Sequence, residues 1–147
     1  MTINKIGQTE IYIGNSNDAR DIDHLRKLGI RSVVNVAKDL EGPWFHGDHR
    51  CYKIPLLDGP GNEVYRYVFA LQVVMTLLRA GEKVLLHCQA GQSRSPAIAC
   101  GVLVLLNQAS TLEAALAVVH GCREEVNVAP AHWEPLQQAV EAARKLP

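Results

Sequence analysis

The chain has 147 residues and a mass of 16.2 kDa, with 48% hydrophobic against 20% charged residues, which suits one folded domain over 1–147 and excludes wholesale disorder. Fifteen Lys and Arg balance fifteen Asp and Glu, so attachment to nucleic acid or to an anionic membrane by overall charge is not expected. The longest apolar run, Pro96 to Leu106, falls short of the roughly 18 residues that span a bilayer, and the amino terminus has no apolar stretch of signal-peptide length; a soluble, cytoplasmic protein is the expectation.

Glu10 to Gly14 alternates and ends on glycine, which predicts a short strand. Asp18 to Leu28 places Ile22, Leu25 and Leu28 at helical spacing, with Gly29 as the carboxyl cap. Arg31 to Ala37 is a β-branched run, read as a buried strand, and Lys38 to Arg50 is aperiodic and read as a loop. Cys51 to Leu57 is a further extended piece with Pro55 near its end. From Asn62 to Ala80, Val64, Val68, Leu71, Met75 and Leu78 share one face of a long helix. Lys83 to His87 is a short apolar strand, followed by a turn and by Pro96 to Asn107, a helix apolar on all sides and hence central. Ser110 and Glu113 form a capping-box pattern opening a short helix to Gly121, and a last helix runs from Ala131 to Lys145. This alternation implies a single-domain α/β fold: a mainly parallel central sheet of about four to five strands with helices on both faces.

Ligands of such sheets bind at the carboxyl ends of strands, and the segment after Lys83–His87 carries the chemistry. It reads His87-Cys88-Gln89-Ala90-Gly91-Gln92-Ser93-Arg94-Ser95. A strand, a tight turn and a helix start allow the amides of Gln89, Ala90, Gly91, Gln92, Ser93 and Arg94 to converge as an anion nest, with Gly91 taking a conformation that a Cβ resists. Arg94 adds a planar fork for two oxygens of one phosphate. The same positive field favours the thiolate of Cys88, which then faces the cradle as a nucleophile for attack at phosphorus. Asp58, after the Cys51–Leu57 strand, is the candidate acid for the leaving oxygen and base for the water that follows, in a loop given freedom to move by Gly59 and Gly61. Ser95 is placed to donate to the cysteine sulfur as it leaves, and His87 to brace the loop.

The pattern HCxxGxxRS over His87–Ser95 resembles the signature of cysteine-dependent protein phosphatases, in their dual-specificity phosphatase-like branch. Ile11–Gly14 followed by Asp18-Ala19, Leu28 to Ala37, and Tyr52 to Asp58 resemble that branch's opening strand and helix, second strand and approach to the general acid; the similarity runs from Glu10 to Asn107 in consistent order. It implies phosphomonoester hydrolysis through a cysteinyl-phosphate intermediate, with no metal or cofactor. Relatives that hydrolyse inositol phospholipids often carry Lys in the loop; here Gln89, Ala90, Gln92 and Ser93 are uncharged, which disfavours that substrate class. No segment resembles the tyrosine-recognition element of the large tyrosine phosphatases, implying a shallow pocket compatible with phosphotyrosine and with phosphoserine or phosphothreonine in proteins. The expected partner is a phosphorylated protein or a small phosphomonoester.

Other readings stand beside this one: a phosphatase of a phosphoinositide, sugar or nucleotide, a non-catalytic phosphate-binding module on the same fold, and a thiol redox or sulfur-transfer enzyme. Intact Cys88, Arg94 and Asp58 weigh against the module, and the Arg94 fork against redox chemistry. His46, Asp48, His49 and Cys51 are close enough to hold zinc, but no strand-helix frame surrounds them. Cys51, Cys100 and Cys122 form no CxxC pair and read as packing thiols, with an oxidative link to Cys88 as the functional alternative. Asn35 either buttresses the phosphate loop or bonds locally. Trp44 and Trp133 are too isolated to define a site.

Overall fold

The computed structural model describes residues 3–42 and 49–146. Five strands, β1 (Asn4–Lys5), β2 (Ile11–Gly14), β3 (Ser32–Ala37), β4 (Arg50–Leu56) and β5 (Val84–His87), form one sheet in the order β1-β2-β5-β3-β4. Only the β1–β2 pair at the edge is antiparallel; β5 lies between β2 and β3, and Gly14 and Asn35 flank His87 in register. Parallel strands place their carboxyl ends on one edge, so the segments after Gly14, Ala37, Leu56 and His87 all emerge together there.

The alternation of side chains divides the sheet's two faces. Val34 and Leu86 join the larger core, beneath α3 (Val64–Arg79), α4 (Arg94–Leu105), α5 (Leu112–Cys122) and α6 (Trp133–Arg144). Val33 and Leu85 point the other way and pack on Ala19 of α1 (Ser16–Arg20), Leu25 of α2 (Ile22–Leu28) and Ile30 just after it. Burial on both faces explains why β3 reads as a continuous apolar run and not as an alternating one.

The expected helix over Asp18–Leu28 is two helices. Asn15 opens the first with a reciprocal capping box to Asp18, and Asp21 interrupts it by accepting the amide of His24 and so capping the second. Gly29 ends α2 in a left-handed conformation, as expected. The two-residue β1 carries no alternation that a sequence reading could detect. Thr111, not Ser110, caps α5 by accepting the Ala114 amide, and the last helix is preceded by a 3₁₀ turn, Pro130–His132. No helix among the described residues is long and apolar enough to cross a membrane.

The central helix α4 is buried from Arg94 to Val104. Pro96 sits in its first turn, where no amide is needed for the helix ladder. Gly101 is the point of closest approach: a Cβ there would lie 2.6 Å from Leu71 Cδ2 and 3.2 Å from Leu136 Cδ1. Gly101→Val is therefore expected to lower stability by about 1–3 kcal/mol through overpacking. Urea denaturation checks this, and an unchanged midpoint with unchanged slope would mean that α3 and α6 separate without cost.

Candidate active site

After β5 the chain turns sharply through Cys88–Ser93 before entering α4. The geometry of this turn follows from where its carbonyls go. His87 Nδ1–H donates to Cys88 O at 3.0 Å, and the Ser16 amide, the first of α1, donates to Gln89 O at 2.9 Å. Arg123 Nη2 and Nε donate to Ala90 O at 3.2 Å and Gly91 O at 2.9 Å. The Asn127 amide donates to Gln92 O at 2.7 Å, and the Ala97 amide to Ser93 O at 2.9 Å. Each carbonyl from Cys88 to Ser93 is thus held by a protein donor, whereas no amide from Gln89 to Ser93 meets an acceptor among the described residues. A run of amides spared in this way, ending at a helix amino terminus, is an anion nest.

Gly91 satisfies two constraints of this turn. Its φ is +69°, and a Cβ would lie 2.6 Å from the Gly14 carbonyl oxygen and 2.7 Å from Arg123 Nη2. The loop is therefore clamped between the end of β2 and Arg123, which is itself buried and also donates to Asn4 Oδ1 at 2.8 Å.

Cys88 and Ser95 are both buried, with Sγ and Oγ 3.3 Å apart. Arg94 is buried too; its Nη1 donates to Asp39 Oδ1 at 2.6 Å and to Leu56 O at 3.0 Å. These contacts fix one edge of the guanidinium, and Nε is buried with no acceptor among the described residues. The hydrogen bond from Arg94 holds the Asp39 carboxyl below the ordinary carboxylate range, so the pair persists into mildly acidic solution. Asp39, Asp58, Cys88 and Arg94 line one cavity of about 540 Å³, with Asn127 and Val128 on its far wall. A separate groove of about 410 Å³ beside Leu112, Leu116 and Trp133 is apolar and carries Glu113 and Glu134, a poor setting for an anion.

Asp58 reaches this cavity from the loop after β4, with its side chain 50% exposed and Oδ1 3.3 Å from His132 Nε2. Gly59 and Gly61 both have positive φ, but Asn62 stitches the loop together, accepting the Leu57 amide and donating to Leu57 O and Gly59 O. The glycines shape this loop and Asn62 holds its form. Asn35 bonds locally: it donates to Leu40 O and Gly42 O and accepts the Ala37 amide, steadying the segment that carries Asp39.

Every residue singled out from the HCxxGxxRS segment, together with Asp58, lines this cavity or supports its wall. Asp39, Arg123 and His132 also reach the cavity or its wall and lie outside that motif. Asp39 had a usable signal, its place just beyond a parallel strand; Arg123 and His132 had none, because their partners lie far away in the chain. Burial raises the thiols of Cys51 to about 11 and Cys100 to about 12, in keeping with packing roles. His46 and Asp48 lie outside the described residues, and among the described ones no group of three His, Cys, Asp or Glu could hold a metal.

Comparison with known proteins bears on the family and the fold. Residues 11–142 match the family model described as dual specificity phosphatase, catalytic domain. Human dual specificity phosphatase 28 is 26% identical over 133 residues, covering 90% of this chain and 74% of that protein. Human dual specificity protein phosphatase 9 is 33% identical over 98 residues, 64% of this chain and 25% of its own length. The crystal structure of human DUSP28 superposes with a TM-score of 0.83 at 22% identity, covering 97% of this chain and 95% of that one. A family match running from β2 into the last helix spans every element that builds the cavity, and on that ground the chain belongs to the dual-specificity phosphatase family and is a cysteine-dependent protein phosphatase.

Proposed function

We propose that the chain hydrolyses single phosphomonoesters on proteins, phosphotyrosine together with phosphoserine or phosphothreonine, through a phosphocysteine. Cys88 Sγ attacks phosphorus in line while the bond to the leaving oxygen breaks, and Asp58 protonates that oxygen. Asp58, now a carboxylate, then takes a proton from water, which attacks phosphorus and releases Cys88 as a thiolate that accepts a hydrogen bond from Ser95 Oγ. The amides of Gln89–Arg94 and the Arg94 fork hold the equatorial oxygens, where charge is spread in the transition state. The observation that carries this reading is the outward anchoring of every carbonyl from Cys88 to Ser93 around a buried cysteine.

The cavity's charge supports a substrate with one phosphate. Arg94 is the cation among the residues lining it, and Asp39 and Asp58 stand on the same wall. Among the described residues of this cavity a second phosphate would find no cation besides Arg94 and would face two carboxylates; Lys38 lines the adjoining cavity, where Asp39 and Asp58 stand as well. We also assign Asp39 to orienting the guanidinium. Its side chain is 58% exposed, so solvent reduces the strength of the pair and the contribution is one of geometry.

The wild type is expected to hydrolyse para-nitrophenyl phosphate in reductant with EDTA present, and Cys88→Ser to lose turnover while still binding vanadate. Turnover surviving in Cys88→Ser would remove Cys88 from the nucleophile role, and an inert wild type that binds vanadate would point to a phosphate-binding module. A tyrosine-phosphorylated peptide is expected to exceed an inositol bisphosphate in kcat/KM by about tenfold or more, the value of one missing charge-assisted contact; the reverse order would overturn the single-phosphate reading. Asp39→Ala is expected to weaken vanadate binding by roughly three- to tenfold. Titration of the folded variant checks this, and unchanged affinity would show that Leu56 O alone orients Arg94.

A further inference from the structure

A file of polar side chains runs through the core beside the cavity. Asn62 Nδ2 lies 3.1 Å from Tyr67 Oη, Tyr67 Oη 2.7 Å from His132 Nδ1, and His132 Nε2 3.3 Å from Asp58 Oδ1. Tyr67 and His132 are fully buried, their rings packed edge to face with centroids 5.9 Å apart.

With Asp58 as a carboxylate, the donor and acceptor capacities of the four side chains set the direction of each bond. Asn62 meets both the amide and the carbonyl of Leu57, at 2.8 and 2.9 Å, which identifies its oxygen and its nitrogen without ambiguity. Its amide nitrogen therefore donates to the Tyr67 oxygen. An ionised Asp58 can only accept, so the imidazole hydrogen sits on Nε2, where it donates to Asp58 Oδ1, and Nδ1 accepts the one proton of Tyr67. Asn62 acts twice, since it also holds Leu57 and Gly59, the residues on either side of Asp58.

We propose that His132, set by Tyr67, is the positioning residue of the general acid: its Nε2–H fixes Oδ1 of Asp58, so that Oδ2 carries the proton delivered to the leaving oxygen and later accepts one from water. This rests on the reading of Asp58 as the acid. His132 keeps its own proton through both steps; the bonds made and broken to hydrogen are at Oδ2 alone. Burial pushes the imidazole's pKa down, and the charge of Arg94 pushes the same way, against the raising effect of Asp58. Burial likewise raises the Tyr67 phenol. The groups facing the ring are thus Asp58 from the acid loop, Tyr67 from α3 and Arg94 from α4, and in that setting His132 is a neutral donor. A neutral donor steadies the carboxylate without forming the ion pair that would hinder reprotonation. Two polar groups buried in an otherwise apolar core are costly unless every bond is made, and here each is made in a file that ends on the acid.

The test is the dependence of kcat/KM on leaving-group basicity, from para-nitrophenyl to phenyl phosphate, for wild type, Asp58→Asn, His132→Phe, His132→Gln and Tyr67→Phe. Asp58→Asn is expected to steepen the dependence. His132→Phe should steepen it in the same direction, costing roughly ten- to a hundredfold more on phenyl than on para-nitrophenyl phosphate. His132→Gln should restore the wild-type slope, because its amide can accept from Tyr67 and donate to Asp58 as the imidazole does. Tyr67→Phe keeps the ring and its packing, so it serves even if His132→Phe folds poorly, and it should steepen the slope by a smaller factor. A steep slope for Asp58→Asn with wild-type slopes for His132→Phe and Tyr67→Phe would overturn the proposal and leave the acid assignment standing. A wild-type slope for Asp58→Asn would overturn both.

Discussion

The structure depends on the outward anchoring of six consecutive carbonyls. Backbone amides can face one way in a tight turn only if their carbonyls find partners facing the other, and a buried carbonyl without a donor costs as much as a lost hydrogen bond. Between Cys88 and Ser93 the donors come from His87, Ser16, Arg123, Asn127 and Ala97, five positions spread from the first helix to the segment before the last. The sheet order explains how they reach the loop. Because β5 is interior, with β2 on one side and β3 on the other, α1 arrives from the end of β2 and the segment after α5 from the opposite face. The anion site is thus the negative image of a carbonyl-binding surface made by the whole fold.

Charge is managed by separation around this loop. Arg123 stands behind it, its guanidinium spent on the Ala90 and Gly91 carbonyls, on Asn4 and on Glu125 at 3.9 Å. Arg94 stands at the rim, with one edge held by Asp39 and the Leu56 carbonyl and with Nε left without an acceptor among the described residues. One arginine builds the cradle and the other faces into the cavity. The two carboxylates of the rim differ in the same way: Asp39 is paired with a cation that keeps it ionised, whereas Asp58 meets an imidazole whose pKa burial pushes down. Two aspartates on one wall therefore sit in different environments, which the proposed division between an electrostatic and a proton-transfer role requires.

Much of this could be read from residue order because it is local. The four parallel strands, the capping glycine after Leu28 and the buried helix after Pro96 follow from hydrophobic period and cap chemistry, which operate within a few residues. The segment His87–Ser95 was legible for the same reason: cysteine, glycine, arginine and serine are held at fixed offsets by one turn. The misses share the opposite property. Asp21 splits a helix because its side chain competes for an amide three residues on, a choice that a count of apolar spacing does not register. The strand β1 exists because Asn4 and Lys5 lie beside Ile13 and Tyr12, and two residues carry no pattern of their own.

By itself the sequence determined the fold class, the position of the cysteine at the head of the loop and the family of chemistry, since these depend on residue types at short, fixed spacing. Tertiary structure decided which groups complete the site. Asp39 is 55 residues from Arg94, Arg123 is 32 from Gly91, and His132 is 74 from Asp58. No local rule connects residues so far apart; they meet because parallel strands deliver their carboxyl ends to one edge and the helices crossing the sheet bring the remaining side chains to it.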